Sequence, residues 1–222
     1  MNFELDHFIK VFPVIGRALP ITISIAIFAM AFGLILGTLI TFLRKSPFKL
    51  VNRLFDTYVS FFRGTPLMVQ LFIFFFGLPQ ILPFFAILDA YNASIVVMSI
   101  NASAYISEII RSALNSVDNG QFEAAASMGM TKSQSMTRII LPQAFRIAIP
   151  PLGNTLINLI QGTSLTFMLG LQDIMAVAKM SAASTYRFFE TYMAVGIIYW
   201  IITTIASKGN KYLERKLNYE LN

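Results

Sequence analysis

The chain contains no cysteine and a single histidine, His7, among its 222 residues. No disulfide, thiolate nucleophile or cysteine-ligated metal is therefore available. One histidine in a short N-terminal segment, without neighbouring ligands, supports neither a metal site nor histidine-based acid–base chemistry inside a membrane. Charge is also scarce: Asp, Glu, Lys and Arg make up 13% of the residues, about half the share usual in soluble domains. No G-x-x-x-x-G-K-[ST] segment occurs, since the pairs Gly120/Gly129 and Gly162/Gly170 have neither the spacing nor the following Lys, so the chain has no phosphate-binding loop of its own. G-x-S-x-G, H-E-x-x-H and paired catalytic carboxylates are missing too, and the sequence does not read as an enzyme.

What is present is apolar. Hydrophobic residues make up 56% and the mean hydropathy is +0.66, which places the chain among integral membrane proteins. Five spans are expected: Leu19 to Leu43, Leu67 to about Leu88, Ala93 to about Leu114, Pro151 to Leu171, and a shorter one from Thr191 to Ser207. Gly33 and Gly37 in the first form a G-x-x-x-G that lets a neighbouring helix approach closely. Before it, Leu5, Phe8, Ile9 and Phe12 recur at helical spacing up to Pro13, so residues 1–18 read as an interfacial helix rather than a signal peptide, the start being acidic. Between the first two spans, Arg44, Lys45, Lys49, Arg53 and Arg63 read as a polar loop, with Thr65 and Pro66 as N-cap and first helical residue of the second span. Pro79 and Pro83 kink or end that span.

Lys and Arg sort by segment. With the N-terminus outside and the C-terminus inside, the inner segments hold five (Arg44, Lys45, Lys49, Arg53, Arg63), four (Arg111, Lys132, Arg138, Arg146) and four (Lys208, Lys211, Arg215, Lys216). The outer ones hold only Lys10, Arg17, Lys179 and Arg187, a clear positive-inside bias. The net charge of +6 is thus a matter of topology rather than of nucleic-acid binding. Residues 117–142 fall in the cytoplasm.

That segment is the most sharply punctuated in the chain. Asp118 and Gln121 have capping-box spacing, Gly129 supplies a left-handed stop, and Thr131 with Gln134 starts a second helix that Pro142 closes. Ala124, Ala125 and Ala126 keep one surface small, and Phe122 or Met128 can anchor a partner's groove. A helix, bend and helix facing the cytosol reads as a docking surface.

Glu123-Ala124-Ala125, Gly129, Ile139, Leu141 and Pro142 are similar, position for position, to the EAA loop of the membrane subunits of binding-protein-dependent ABC importers. Arg63-Gly64-Thr65-Pro66-Leu67 resembles the RGTPL signature of the polar amino-acid permeases in that family, and SAYISEIIR (Ser103 to Arg111) and IILPQAFR (Ile139 to Arg146) extend the likeness over nearly the whole chain. The resemblance implies an all-α type I importer permease, a single membrane domain over residues 1–222, in the bacterial cytoplasmic (inner) membrane. It implies a second permease subunit, identical or related, two ATPase subunits that hold ATP and Mg, and an external or periplasmic amino-acid-binding protein; this chain itself would bind no cofactor. Glu123, Ala124, Ala125, Gly129, Leu141 and Pro142 would couple it to the ATPase. Gly162 to Leu171 and Tyr186 to Trp200 look most like the cystine-type branch.

Polar residues within the spans cluster by helical phase. Asn101, Tyr105, Glu108 and Ser112 share a face of the third span, with Arg111 three residues after Glu108. Glu108 either pairs with Arg111 near the interface or attracts a substrate ammonium. Asn154, Asn158 and Gln161, followed by Gly162, Thr163 and Ser164, share a face of the fourth, where amides can line a path or bind helices together. Asn101, Glu108, Asn154, Asn158, Gln161, Thr163 and Ser164 are thus the candidate pathway residues. In related permeases the segment at Gln161 resembles K-x-T-S-L, and Gln161 replaces the cation. The expected function is permease of an ABC importer for a polar amino acid, with cystine or a related amino acid as the candidate substrate. The alternatives are an ATPase-independent secondary transporter or channel, against which no inverted repeat is visible, and a membrane scaffold without transport.

Overall fold

A computed structural model describes residues 3–219, and among these every regular element is helical. Helix α1 (Leu5–Gly16) packs Val11 and Ile15 inward, against a cluster shared with the last two helices of the chain. His7, read from sequence as isolated, has a partner there: its Nε2 lies 3.2 Å from the Thr191 hydroxyl. Helix α2 (Leu19–Leu43) follows with Pro20 in its first turn. Helix α3 (Lys49–Gly64) replaces the expected polar loop. Its charges Lys49, Arg53, Asp56 and Arg63 are spaced four, three and seven apart and share one face, while Val59, Phe55, Tyr58 and Phe62 pack against Ile40 and Ala104. The Tyr58 hydroxyl fixes this face by bonding to the Ile100 carbonyl (3.0 Å) and Ser103 Oγ (2.7 Å).

The chain then bends by 109° into α4 (Leu67–Phe72), a π-helical turn (Ile73–Gly77) and α5 (Leu78–Ile81). Pro66, not Thr65, is the N-cap of α4. A 3-10 turn over Pro83–Ile87 ends the second apolar run. Asp89 caps α6 (Ala90–Asn115) by accepting from the Asn92 amide at 2.8 Å. After α7 (Asn119–Ser127) and α8 (Lys132–Ser135), a second π turn (Met136–Ile140) leads into α9 (Leu141–Gly162). Pro142 therefore lies in the first turn of a helix rather than closing one, and the fourth apolar helix begins at Leu141, ten residues before the expected Pro151. The reason recurs at Pro79. In both places a widened turn precedes the proline, so the chain passes a residue that lacks N–H and crowds the preceding turn without breaking the rod. Pro150 and Pro151 sit inside α9.

Beyond α9 a 3-10 turn (Thr163–Leu169) ends at Gly170, whose φ is 87°. Helix α10 (Ile174–Thr185), not expected from sequence, is capped by Asp173 and buries Ile174, Ala178 and Ala182. Helix α11 (Phe188–Tyr219) is far longer than the expected Thr191 to Ser207. Among the described residues three helices are long and apolar enough to cross a membrane, α2, α6 and α11, or four if the bent pair of α3 with the run to Ile81 is one span. Helix α9 is not among them, because it carries the amide face.

The core is α2 packed on α6, closed by α9: Ile25, Ala26, Ala29, Met98, Ala102, Ile106, Leu159 and Ile160 form one cluster. The G-x-x-x-G is what lets the first two meet. A Cβ on Gly33 would stand 3.0 Å from Ala102 Cβ, and one on Gly37 2.8 Å from Ile106 Cγ2 and 2.9 Å from the Ser103 carbonyl oxygen. Thr41 adds hydroxyl bonds to the carbonyls of Gly37 and Ser107. Helix α11 crosses α9 at Gly153. There the Asn210 amide fills the space a Cβ would need and donates to the Pro150 carbonyl at 3.1 Å.

Candidate functional site

Between α4, α6 and α9 lies a cavity of about 440 Å³, within the usual range for small-molecule sites. Asn101 and Tyr105 face it from α6, Asn154, Thr155 and Asn158 from α9, and Leu67 from the start of α4. Asn154 and Asn158 are exposed to the cavity and their amides make no hydrogen bond within the described residues, so donors and acceptors stand open. A larger recess of about 680 Å³ between α2 and α6 has mostly aromatic and aliphatic walls, including Phe28, Phe32, Ile35 and Ile95, and suits acyl chains better than a zwitterion.

Three of the seven pathway candidates thus converge: Asn101, Asn154 and Asn158. Gln161 is exposed but outside the cavity lining, Ser164 is half-buried, and Thr163 is fully buried with its hydroxyl donated to the Ile160 carbonyl at 2.7 Å. Gln161 keeps the phase of Asn154 and Asn158 within α9 but lies beyond the lining, whereas for Thr163 and Ser164 that phase is lost where α9 gives way to the 3-10 turn. Asn101 is partly committed: its Nδ2 donates to the Phe62 carbonyl and to Gln70 Oε1, both at 3.0 Å. Gln70 in turn donates to the Phe62 carbonyl (3.0 Å), the Thr65 carbonyl (3.1 Å) and the Thr65 hydroxyl (2.8 Å). The Arg63 to Leu67 segment is therefore a bend whose open carbonyls are satisfied by two amides. Gln70, the only polar side chain in α4 (LMVQLF), was the visible signal for this role.

Glu108 does not face the cavity. Arg44 and Arg111 hold its carboxylate, Arg111 with Nη2 at 2.7 Å and Nε at 3.2 Å, and Arg63 stands 3.6 Å away. Arg44 also binds Asp56, at 2.6 Å. The sequence alternative of a pair with Arg111 is what the geometry presents, enlarged by two more guanidiniums.

At the far end of α6 the punctuated segment folds largely as its residues dictate. Gly129 has φ 72°, and the bonds Met130 N to Ala125 O (3.0 Å) and Gly129 N to Ala126 O (2.9 Å) make a Schellman stop. The Thr131–Gln134 capping box is complete, at 3.3 and 2.9 Å. The Asp118–Gln121 box is not. Asp118 accepts from the Gly120 amide at 2.6 Å, while Gln121 accepts from Gln143 Nε2 at 3.2 Å, tying α7 to α9. Glu123 and Ala124 are exposed, Ala125 is buried, Phe122 is 37% exposed and Met128 83%. Two apolar residues of a polar segment are thus presented outward. Behind them, Leu114 and Val117 pack with Ile140, Ala144 and Ala148, so the helix pair is anchored on both α6 and α9.

Residues 29–219 match the family described as "Binding-protein-dependent transport system inner membrane component". The chain is 46% identical over 217 residues to the probable amino-acid permease protein YxeN of Bacillus subtilis (strain 168), covering 98% of this chain and 97% of that one. It is 38% identical to the L-cystine transport system permease protein TcyB of the same organism, with 93% and 87% covered. Among solved structures, one described as an amino acid ABC transporter with histidines superposes with a TM-score of 0.90 at 33% identity, over 97% of this chain and 100% of that one.

Proposed function

Since the chain belongs to the family of binding-protein-dependent transport system inner membrane components, we propose that it is the permease subunit of an ABC importer. It carries a polar amino acid into the cytoplasm, driven by ATP hydrolysis on a partner subunit. The observation that carries this reading is the polar cavity between α6 and α9, whose two walls lead directly into the capped helices around Gly129. The chain is a multi-pass protein of the inner membrane, and the Lys and Arg distribution argues for an outside N-terminus and an inside C-terminus.

In this reading Asn154, Asn158 and the free oxygen of Asn101 offer a zwitterion neutral hydrogen-bond partners, which hold it loosely enough to let it go. Glu123, Ala124, Ala125, Gly129, Leu141 and Pro142 transmit movement of an ATPase subunit, with Phe122 and Met128 as its apolar contacts. A second permease subunit completes the path, and an external binding protein delivers the amino acid. L-Cystine is the first substrate to try, because Gly162 to Leu171 and Tyr186 to Trp200 resemble the cystine branch.

The test is reconstitution of the chain with its ATPase and binding protein in vesicles, followed by uptake of labelled cystine, arginine, glutamine and histidine. ATP-dependent accumulation of at least one is expected. Accumulation without any ATPase would favour a secondary transporter instead.

A further inference from the structure

Five charged side chains gather where α2, α3 and α6 meet, on the side of the cavity nearest α7: Arg44, Asp56, Arg63, Glu108 and Arg111. Three cations face two anions, so one positive charge is in surplus. The geometry identifies which. Arg44 binds both Asp56 and Glu108, and Arg111 grips Glu108 with two nitrogens. Arg63 Nη1, at 3.6 Å from Glu108 Oε2, is beyond hydrogen-bond range, and the Arg63 side chain makes no hydrogen bond among the described residues. Its guanidinium instead lies over the Tyr105 ring, 5.6 Å from the centroid, and its side chain is 45% exposed. Tyr105 is itself a wall of the amide cavity.

We propose that Arg63 receives the α-carboxylate of the amino acid as it leaves the cavity toward α7. A guanidinium fork matches a carboxylate with two parallel hydrogen bonds, which a lone ammonium cannot do. Stacking on Tyr105 holds the plane of the fork without using any of its donors. The asparagines of the cavity carry no charge and neither Lys nor Arg lines it, so the α-carboxylate otherwise meets no positive partner there. Arg63 supplies it from α3. Partial exposure keeps the contact weak, as release requires.

This inference rests on the amino-acid permease reading above, and the experiment separates the two. The permease with its ATPase subunits, in lipid nanodiscs and without binding protein, is titrated with L-arginine, L-glutamine and L-cystine and with their α-carboxamides. The wild-type complex is expected to bind at least one free acid tenfold or more tightly than its amide. Arg63→Gln is expected to bind acid and amide about equally with an unchanged melting temperature, and Arg63→Lys to fall between. Retained tenfold preference in Arg63→Gln, no preference in the wild type, or a melting temperature that falls in step with affinity overturns the proposal. Absence of binding of every amino acid to the wild type also overturns the proposal, whereas the permease reading beneath it falls only if the reconstituted vesicles show no ATP-dependent uptake.

Discussion

Asn101 and Asn158 both reach the polar cavity, yet only the first is tied to its surroundings. Asn101→Leu should therefore lower the melting temperature, because it leaves the Phe62 carbonyl and Gln70 with fewer partners, a loss on the order of 1 to 3 kcal/mol. Asn158→Leu should leave the melting temperature within a degree or two while reducing amino-acid uptake, and equal thermal loss in both would make Asn158 helix glue. Gly153 gives a sharper case. A methyl there displaces the Asn210 amide, so Gly153→Ala should cost about 1 to 3 kcal/mol. Adding Asn210→Ala should recover part of it, whereas Gly196→Ala, inside α11 with open space around it, should be stabilising by about 0.5 to 1 kcal/mol. A double variant no more stable than Gly153→Ala alone would refute the clash. Asp173 is fully buried, and burial pushes its carboxyl up to about 6. The native state then holds a proton that the unfolded chain releases near 4. Its contribution is present at pH 4 and lost as pH rises through 6, so the wild type should melt higher at pH 4.5 than at pH 7, by a margin that shrinks in Asp173→Asn. These pairings were not legible in the sequence, because Asn210 and Pro150 lie sixty positions apart and only the crossing of two helices joins them.

At the scale of elements, Gly129 decides the angle between α7 and α8. Its φ of 72° is a backbone conformation that costs a branched residue about 1 to 2 kcal/mol. Gly129→Val should insert normally, since nothing stands within 4 Å of the new side chain, yet abolish uptake and the stimulation of ATP hydrolysis by loaded binding protein. Full transport by this variant would reduce the helix pair to a connector. The stop at Gly129 and the box at Thr131 were readable because both are local chemistry spanning six residues or fewer. The span at Leu19–Leu43 was readable because periodicity does not matter in a run that is apolar all round. Three of the departures share a cause. Pro142, Pro79 and the charges of α3 read in the sequence as interruptions of helix, and the chain accommodates each, with a π turn before a proline or with charges on a single helix face. Helix α10 was missed because its apolar residues are mainly alanine and methionine, a face that only burial against α1 and α11 makes visible.

At the scale of the whole molecule, the chain combines membrane helices and a polar cavity with a sequence that has no phosphate-binding loop. Purified alone it should hydrolyse no ATP, and joined to its ATPase subunits it should do so, with turnover by the isolated chain as the contrary result. In the proposed reading, communication between the two runs through the turn at Met136–Ile140. Because that π turn does not interrupt the helix, residues 132–162 form one rod with the elbow at its base and the amide face near its tip. Asn158 lies about 39 Å along it from Lys132, so a tilt of about 5° at the base sweeps the asparagine sideways by about 3 Å. That is the length of one hydrogen bond. On that reading the rod is a lever whose arm is long enough to exchange one set of substrate contacts for none, and because Leu159 and Ile160 share a buried cluster with Ile25, Ala29 and Ala102, the α2–α6 pair travels with its tip.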